Sequence, residues 1–488
     1  MATLDQDWLQ QYPSRLRTVL AALVREGDTP WYVTGGAVRD WLLGTAAQDL
    51  DFTVPRAAIP LARRLARRLG GAFVLLDAEE EAARVVWQGY CLDVASFRER
   101  SRTIEEDLGR RDFTVNALAV AMAPDGDGLV PPYTLIDPTG GVADAAARVI
   151  RIPAPEVFQR DPLRLLRAYR FQATLGFALA PETTARIGAE RALIRRSATE
   201  RIACELDRIL ATARAASVLG NMAASGLLFE VLPELQPAVG MAQPASHHLD
   251  VFAHSLRAVA CLAEVCAEPG RFFHEPTAVA EYLADERHRL HLAWAALFHD
   301  VGKPARFALR EGRITFYNHD RAGREIFDTA AERLRFSREK RERIGRLIAQ
   351  HMWPFHLNNA RLKTGITPRA CLKLIKAIGA DLAGLFLLAM ADSLAGEGPG
   401  KPPGMEASLA ELHAEVMRVY ESRIKPVLTG PLLLNGHDLQ ALFGLAPGPL
   451  LGMILNRLEQ VQVEGTVRDR DEAVAWVGRL LTEQAGAK

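Results

Sequence analysis

The chain has 488 residues, of which 49% are hydrophobic and 24% charged, with 59 basic and 59 acidic side chains. This length allows three or more domains, each able to bury a core, and the composition is that of an ordinary globular protein. Because the formal net charge is zero, a globally basic nucleic-acid binder is excluded, and any RNA-binding surface must be a local patch.

Cysteine usage and the longest apolar runs bear on the compartment. The five cysteines form no CxxC and no zinc-binding spacing, which predicts small core residues in a reducing compartment. The N-terminus lacks a basic-then-apolar signal layout, and the apolar run over residues 382–391 is too short to span a membrane. We therefore expect a cytoplasmic protein with no membrane partner.

Two features near the N-terminus predict a phosphate and metal site. Gly35 and Gly36 follow a short apolar run and precede a predicted helix, whose free N–H groups can receive phosphate, and Arg39 follows as a candidate clamp. Asp49 and Asp51 alternate with apolar residues in a predicted strand, so both carboxylates share a face. Two carboxylates on one face favour a hard cation such as Mg²⁺ between them.

Taken singly, these features are also typical of a tight turn and of a surface strand with solvated acids. Their combination resembles the nucleotidyltransferase signature of the DNA polymerase β superfamily, in which a glycine pair precedes two alternating aspartates. A further predicted strand over residues 90–97 carries Asp93. This residue is either a third carboxylate beside the first two or an edge-strand carboxylate without that role.

A third segment brings together side chains that suit a nucleotide. Arg110 and Arg111 are adjacent guanidinium groups, whose planar donor forks match phosphate oxygens. Asp112 and Asn116 are four residues apart and can together accept from and donate to ribose hydroxyls. Without further context, the same residues also describe an ordinary charged helix start.

The sequence RRDFTVNAL at residues 110–118 closely resembles the ribose and triphosphate motif of class II tRNA nucleotidyltransferases. This family contains bacterial CCA-adding enzymes and bacterial poly(A) polymerases. Residues 136–144 match the same family. The resemblance implies that Arg39, Arg110 and Arg111 hold phosphates. It also implies that Asp112 and Asn116 contact the ribose.

Asp161 and Arg164 lie three residues apart around a predicted helix start. A carboxylate can accept from an exocyclic amine and a guanidinium can donate to ring acceptors, so the pair can read the edge of cytosine. By spacing alone, a salt bridge between the two side chains is the better interpretation. The segment resembles the family's EDxxR template motif, which implies the base-reading role, although Arg160 stands where the family has glutamate.

From residue 246 onward, histidines and aspartates are distributed over predicted helices, with an adjacent His-Asp pair after an apolar run. This distribution resembles the HD phosphohydrolase superfamily, whose imidazole and carboxylate ligands suit Mn, Fe, Ni or Mg. The resemblance implies four ligands to one metal: His254, His299, Asp300 and Asp392. It implies three residues nearer the phosphate or a second metal: His319, His351 and Lys303.

These resemblances span nearly the whole chain and predict an α+β protein. A polymerase β-like nucleotidyltransferase head (1–150) is expected to precede a mostly α-helical neck and body for base templating and tRNA binding (151–245). An all-α HD domain (246–395) follows, and a Gly/Pro-rich linker (396–404) leads to a helical tail (405–488).

The implied reaction adds nucleotides from nucleoside triphosphates to a tRNA 3′ end, with two Mg²⁺ ions at Asp49 and Asp51 and release of pyrophosphate. The expected partners are tRNA and CTP, with ATP as a further nucleotide. The HD domain is expected to hydrolyse phosphoesters such as 2′,3′-cyclic or 2′ phosphates. The alternatives are a bacterial poly(A) polymerase and a non-catalytic tRNA-binding module.

The connection into the RRDFT motif is short. CCA-adding members of class II carry a long flexible loop here, which helps to switch the pocket from C to A. In this chain, residues 99–109 alone separate Arg98 from Arg110. The chain therefore resembles the CC-adding branch, so we expect addition of C with terminal A slow or absent. A separate A-adding enzyme would then act on the product, and full CCA synthesis is the alternative.

Overall fold

The structure is a computed structural model that describes residues 2–4, 8–27, 29–47, 49–122 and 133–486. The chain forms two compact units, residues 1–214 with 220–231 and residues 215–219 with 232–488. The four-part division predicted from the sequence stays a prediction.

The first unit opens with an eight-stranded sheet. Its strands are β1 (Ala2–Leu4), β2 (Trp31–Thr34), β3 (Asp49–Val54), β4 (Ala72–Asp77), β5 (Ala82–Trp87), β6 (Tyr90–Ser96), β7 (Ala119–Met122) and β8 (Tyr133–Ile136). Their order is β1-β8-β7-β2-β3-β6-β5-β4, with β3 and β6 parallel and the other neighbours antiparallel. The helices of this part are α1 (Ser14–Glu26), α2 (Gly36–Leu42), α3 (Ala58–Leu69), α4 (Ile104–Leu108) and α5 (Gly141–Ala147).

The sheet buries one face of β3 in the hydrophobic core. Leu50, Phe52 and Val54 are at most 1% exposed, and the Phe52 ring meets Trp31 edge-on at 5.7 Å. Helices α1 and α3 pack together, and α3 covers β5 and β6 with its alanine and leucine stripe. Because side chains alternate along a strand, the aspartates of β3 are directed to the opposite face.

The rest of the first unit is mostly helical. It contains α6 (Val157–Arg160), α7 (Arg164–Leu175), α8 (Pro181–Glu190), α9 (Thr199–Leu210) and α11 (Leu227–Val231), after α10 (Ala215–Ala224), which supplies residues to both units. A short parallel pair, β9 (Val149–Ile150) with β10 (Ala178–Leu179), precedes α8. Helix α7 packs on α9.

The second unit is helical apart from a small antiparallel hairpin, β11 (Ala308–Arg310) with β12 (Arg313–Thr315). Its α-helices begin with α12 (Val251–Ala267), α13 (Pro269–Phe272), α14 (Thr277–Leu283), α15 (Glu286–Phe298), α16 (His319–Arg333), α17 (Arg338–Gln350), α18 (Trp353–Thr364), α19 (Pro368–Ile378) and α20 (Leu382–Ala395). They are followed by α21 (Met405–Val419), α22 (Lys425–Thr429), α23 (Gly436–Phe443), α24 (Pro449–Glu464) and α25 (Arg470–Gly486). The predicted α+β class, with a sheet-based head and helical segments after it, is confirmed.

Helix α20 is the core of the second unit. It packs on α12 and α15, and almost all of its side chains are buried. The stretch Pro368–Ala395 is long and apolar enough to cross a membrane, but 78% of its most apolar window is buried inside the fold. This burial accounts for the apolar composition of the stretch, which is that of a core helix.

The Gly/Pro-rich segment 396–404 is hydrogen-bonded to a neighbouring part of the second unit. The N–H groups of Gly398 and Gly400 donate to the carbonyls of Ser246 and Ala245, at 3.0 and 2.9 Å. A Cβ at Gly398 would lie 2.3 Å from the Ala245 carbonyl oxygen. The glycine is therefore required by close backbone packing at this position.

Candidate active sites

Strand β3 places the two predicted carboxylates at a cavity of about 590 Å³ in the first unit. Leu50 and Phe52 are buried in the core, while Asp49 and Asp51 line the cavity. Burial raises the pKa of Asp51, an effect that the Arg111 guanidinium opposes. A bound cation would stabilise the ionised form that burial disfavours, so these two side chains fit Mg²⁺.

Eight arginines and six aspartates line this cavity. Four of the aspartates lie within 4 Å of an arginine side chain: Asp40, Asp93, Asp112 and Asp161. Within the described ranges, Asp49 and Asp51 have no such ion-pair partner. The cavity therefore combines a surplus of fixed cations with two unneutralised carboxylates.

Gly35 occupies the turn between β2 and α2, and Gly36 begins α2. The φ angle of Gly35 is +75°, a conformation that favours glycine. A Cβ at this position would lie 3.0 Å from Oδ2 of Asp51 and 3.1 Å from Nη1 of Arg111. A side chain at this position would strain the backbone and would also crowd the cavity, so both the φ angle and the available space require glycine.

A chain of hydrogen bonds connects the predicted clamp with the predicted ribose pair. Arg39 Nη1 donates to Asn116 Oδ1 at 2.6 Å, and Asn116 Nδ2 donates to Asp112 Oδ1 at 3.1 Å. Arg167 on α7 donates to the other oxygen of Asp112 from two nitrogens. Burial acts to raise the pKa of Asp112, but the Arg167 guanidinium holds it well below its usual range.

The two adjacent arginines of the RRDFT motif have different surroundings. Arg111 is buried, lines the cavity and donates from Nη2 to the hydroxyls of Thr34 and Thr53 at 2.8 and 2.9 Å. Burial lowers the pKa of Arg111 to about 10, so it stays charged at neutral pH. Arg110 instead donates to the carboxylate and carbonyl of Glu99 at 2.7 and 3.0 Å, and it is not among the described residues that line the cavity.

Asp93 lines the same cavity, opposite Asp51 in the β3–β6 register. Arg84 on β5 binds its carboxylate with two hydrogen bonds, at 2.7 and 2.9 Å. This bidentate contact raises the pKa of Arg84. Asp93 is thus close enough to be a third carboxylate, but its charge is already neutralised.

Asp161 and Arg164 both line the cavity, yet no ion pair joins them in the described part of the chain. Asp161 Oδ1 accepts from the Leu163 N–H at 3.1 Å, and Arg164 Nη1 donates to the Arg111 carbonyl at 3.2 Å. The simple salt bridge that the spacing allowed is therefore not formed. Arg160, at the family's glutamate position, has its guanidinium 3.9 Å from the Glu99 carboxylate.

Several cavity-lining residues were missed from the sequence: Arg84, Arg98, Arg167, Arg170, Phe171 and Arg208. Arg167 and Arg170 follow Arg164 at intervals of three, which places them along one side of α7. That spacing was the available signal. The other four come to the cavity through tertiary packing.

The second unit brings all the predicted histidines and aspartates into one buried cluster. Asp392 Oδ1 lies 2.9 Å from His254 Nε2, and Asp300 Oδ2 lies 3.2 Å from His299 Nε2. On its other side, Asp300 Oδ1 lies 3.3 and 3.7 Å from the Nε2 atoms of His319 and His351. Asp300 therefore stands between two histidine pairs, as a bridging carboxylate would.

Backbone carbonyls orient three of these imidazoles. The Nδ1–H groups of His299, His319 and His351 donate to the carbonyls of the residues three positions earlier, at 2.8, 2.9 and 2.7 Å. Each Nε2 atom is thereby turned toward the cluster. His299 Nε2 is buried and makes no well-aligned hydrogen bond to a described residue, although Asp300 Oδ2 lies 3.2 Å away. A divalent metal that accepts imidazole and carboxylate would satisfy it, so the residues fit one.

The cluster is electrostatically coupled. Burial alone would lower the pKa of His299, but the carboxylates of Asp300 and Asp392 raise it to about 10. Burial and the neighbouring His319 lower the pKa of His351 to about 3. Lys303, the third predicted phosphate or second-metal residue, donates from Nζ to Asp300 Oδ2 at 2.5 Å and to Gln243 at 2.7 Å.

His247 is a residue of this site that the sequence did not reveal. Its ring meets the His254 ring edge-on at 4.5 Å, and it lines the cavity beside the cluster. Its Nδ1 atom is buried without a hydrogen-bond partner among the described residues. Position alone could not identify it, because it precedes the first helix of the segment.

Comparison with known families covers most of the chain. The poly A polymerase head domain matches residues 31–151, the RNA and SrmB-binding site of polymerase A matches residues 176–239, and the HD domain matches residues 251–375. The family described as tRNA nucleotidyltransferase domain 2 matches residues 426–477.

Relatives of similar length carry related names. The A-adding tRNA nucleotidyltransferase of Deinococcus radiodurans is 34% identical over 93% of this chain and 96% of its own. The CC-adding tRNA nucleotidyltransferase of Thermus thermophilus is 33% identical over 92% and 95%. In fold, the chain resembles the Thermotoga maritima CCA-adding enzyme complexed with tRNA, with a TM-score of 0.63, 21% identity and coverage of 99% and 100%.

Proposed function

Because the chain belongs to the class II tRNA nucleotidyltransferases that carry an HD domain, we propose that it adds cytidine to tRNA 3′ ends from CTP. The observation that carries this proposal is the charge pairing in the head cavity. Asp49 and Asp51 are unpaired among eight lining arginines, within the described ranges. Such a cavity suits a nucleoside triphosphate together with a divalent cation.

In the proposed reaction, the tRNA 3′ oxygen forms a bond to the α-phosphorus of CTP, and the bond to the β-phosphate oxygen breaks. Pyrophosphate leaves, and the hydroxyl proton passes to solvent. Asp49 and Asp51 would hold Mg²⁺, which supplies charge neutralisation and lowers the pKa of the attacking hydroxyl. Arg39 and Arg111 would bind the phosphates.

The remaining predicted residues are proposed to position the nucleoside. Asp112 and Asn116 would contact the ribose, and their mutual hydrogen bond keeps both side chains in one orientation. Asp161 and Arg164 would face the base, since neither is occupied by the other. Arg110 has a weaker case as a phosphate ligand, because Glu99 already holds its guanidinium.

The preference for cytidine is supported by how the connection into the RRDFT motif is anchored. The buried Asp107 carboxylate accepts from the N–H and guanidinium of Arg98 at 2.8 and 3.0 Å. The same carboxylate accepts from Arg111 Nε at 3.4 Å. A short connection fixed at both ends has little reach to reshape the pocket for adenine. We therefore propose C addition, with terminal A addition slow or absent.

A second candidate is addition of the terminal A alone. It is favoured by the 34% identity to the Deinococcus protein named as A-adding. Three transcripts separate the candidates: tRNA ending at the discriminator base, after the first C, and after CC. Each is incubated with CTP, with ATP or with both nucleotides, and the products are sequenced. A CC-adding enzyme extends the first two with CTP. Extension of the third transcript alone, with ATP, supports the second candidate. Completion of CCA from the first transcript overturns both.

We also propose that the His-Asp cluster hydrolyses phosphoesters at RNA ends, such as 2′,3′-cyclic or 2′ phosphates. A water oxygen would bond to phosphorus while the bond to the ribose oxygen breaks, and the departing oxygen takes a proton. Residues His254, His299, Asp300 and Asp392 would hold the metal, which activates water when bound. The bridging position of Asp300 supports this role.

Crossed variants test the independence of the two reactions. His299→Ala combined with Asp300→Ala is expected to eliminate hydrolysis and leave nucleotide addition unchanged. Asp49→Ala is expected to do the reverse. Hydrolysis that survives the first variant contradicts the assignment of the cluster. We further propose a cytoplasmic protein that binds tRNA along its helical segments. Long A tails on unrelated RNA would instead indicate a poly(A) polymerase. A protein that binds tRNA but adds no nucleotide would indicate a non-catalytic binding module.

A further inference from the structure

A cavity of about 540 Å³ adjoins the His-Asp cluster in the second unit. Asp300, His319 and Asp392 contribute polar side chains to its wall. Phe316, Tyr317, Met352 and Phe355 give it a second wall that is apolar and aromatic. Catalysis of phosphoester hydrolysis does not require such a wall, and the volume is in the range of small-molecule sites, about 300–1,000 Å³.

The aromatic residues come from the turns that also position two cluster histidines. Tyr317 precedes His319 by two residues, after β12 and before α16. Phe355 follows His351 by four residues, in the first turn of α18. Each histidine is oriented by a carbonyl of its own turn. The aromatic residues and the oriented imidazoles are therefore neighbours in the chain at both turns.

Tyr317 is conspicuous because 65% of it is exposed to solvent. Its ring is supported by Arg310, whose guanidinium carbon lies 5.1 Å from the ring centroid. Phe355 is half-buried. An exposed but braced ring, with a second aromatic in the same cavity, is the arrangement on which flat ligands stack.

The segment 396–404 limits the cavity on another side. Gly396, Lys401 and Pro402 line it, and the backbone of the segment is fixed by hydrogen bonds to residues 245 and 246. Lys401 is occupied, since its Nζ donates to the Ser393 carbonyl at 2.7 Å and to the Glu406 carboxylate at 2.5 Å. The cavity is thus bounded on this side by a backbone segment that hydrogen bonds hold in place.

We propose that Tyr317 and Phe355 form a base-stacking subsite, so that the cluster acts on nucleoside phosphates or the terminal nucleotide of RNA rather than on phosphate esters in general. The subsite rests on the proposed hydrolysis, because it assigns the group next to the phosphate that the cluster would cleave. Stacking on an aromatic ring tolerates every base, which suits an end-processing site without sequence preference.

The test compares two substrates and four variants of the full-length protein. The substrates are adenosine 2′,3′-cyclic phosphate and methyl ribofuranoside 2,3-cyclic phosphate, which lacks the base. The variants are Tyr317→Ala, Phe355→Ala, the ring-retaining Tyr317→Phe, and Phe307→Ala as a matched control. Phe307 is similarly exposed, at 47%, and immediately precedes the hairpin that Tyr317 follows, but it is not among the described residues that line the cavity.

Each alanine variant in the wall is expected to raise KM for the adenosine ester about tenfold with kcat within twofold, as the loss of one stacking ring implies. The alanine variants should leave KM for the methyl riboside ester unchanged. Tyr317→Phe and Phe307→Ala should leave KM for the adenosine ester unchanged. Equal losses on both esters would show that the rings serve the fold and would overturn the proposal. An unchanged KM for the adenosine ester would overturn it as well.

A binding measurement separates this proposal from the proposed hydrolysis. Calorimetric titration of adenosine 2′-monophosphate into protein without added metal should show binding that Tyr317→Ala and Phe355→Ala weaken about tenfold. The difference between parent and variants isolates this site, since the head is unchanged. If the parent cleaves neither ester but binds the nucleotide through these rings, hydrolysis fails and the subsite stands. If the variants bind as the parent does, the subsite fails.

Discussion

The Asp112–Arg167 pair offers a sharp test of how the head cavity is held together, because its two members differ in burial. The Asp112 side chain is 8% exposed and that of Arg167 is 32% exposed. Replacing Arg167 with methionine leaves a buried carboxylate unpaired, whereas replacing Asp112 with asparagine leaves a guanidinium that can turn to water. The first change should therefore cost more.

The magnitudes follow from the partners that survive. In Arg167→Met, the Asp112 carboxylate still accepts hydrogen bonds from the Phe113 N–H and the Asn116 amide. We therefore expect the free energy of unfolding to fall by about 3 kcal/mol, the low end for breaking a buried pair. In Asp112→Asn, charge-assisted hydrogen bonds are lost from a partly exposed arginine, which should lower the free energy of unfolding by about 1.5 kcal/mol. The double variant should cost less than the sum, by at least about 1 kcal/mol.

Hydrogen exchange of the amides over residues 110–118 is the suitable assay, since a chain with two units does not guarantee two-state unfolding. Arg201→Met is the matched control. Arg201 is 58% exposed and lies 3.5 Å from Asp161, so its loss should cost less than about 0.5 kcal/mol. Equal costs for the two single variants, or a larger cost for Asp112→Asn, would refute the reasoning.

The sign of the pH dependence provides a second check. In the parent, Arg167 holds the pKa of Asp112 below its usual value, so the pair stabilises the fold fully above about pH 4. This contribution is lost progressively as the pH falls from there to the lowered pKa. Without Arg167, burial alone raises the pKa of Asp112, and the carboxyl becomes neutral as the pH falls. The penalty of Arg167→Met should therefore shrink between pH 7.5 and pH 5.

Three further changes have defined outcomes. Asp51→Asn should lower the rate of CMP incorporation into tRNA at least about 100-fold while raising the melting temperature, because burial disfavours the ionised carboxylate. Arg84→Gln should tighten Mg²⁺ or Mn²⁺ binding about threefold, read by Mn²⁺ paramagnetic resonance, if Asp93 joins the metal site. Unchanged binding would make Asp93 an edge-strand carboxylate. His413→Leu should gain about 2 kcal/mol in stability relative to the parent on going from pH 7.5 to pH 5, read by hydrogen exchange of the α21 amides. Burial lowers the pKa of His413 to about 4, so proton uptake by the unfolded state destabilises the parent at pH 5 and leaves the variant unaffected.

Local patterns predicted the parts of the head that depend on local geometry. The alternation around Asp49 and Asp51 predicted that the two aspartates share a face, and the structure directs them to one cavity. Strand alternation also predicted the face on which Asp93 lies, but it could not predict that Arg84 would be the ion-pair partner of Asp93. Arg84 reaches Asp93 through the β5–β6 register, which depends on the hairpin between those strands.

Long-range packing explains what the sequence could not predict. Arg167 and Asp112 are 55 residues apart, and neither segment contains a pattern that selects the other. Arg110 and Arg111 are adjacent and chemically equal, yet tertiary contacts give one to Glu99 and the other to the cavity. A motif therefore identified the segment that lies at the cavity, while the packing decided which of its side chains lines it.

The His-Asp cluster shows how a site built from distant segments can still be encoded locally. Each oriented histidine donates to a carbonyl three residues earlier, so its own turn sets the direction of Nε2. The long-range fold then has only to bring preoriented groups to Asp300. Asparagine has neither the second ring nitrogen nor the reach to make both contacts, so the role needs imidazole at each of these positions. This requirement explains why scattered single histidines, which individually resemble core residues, together carried a functional signal.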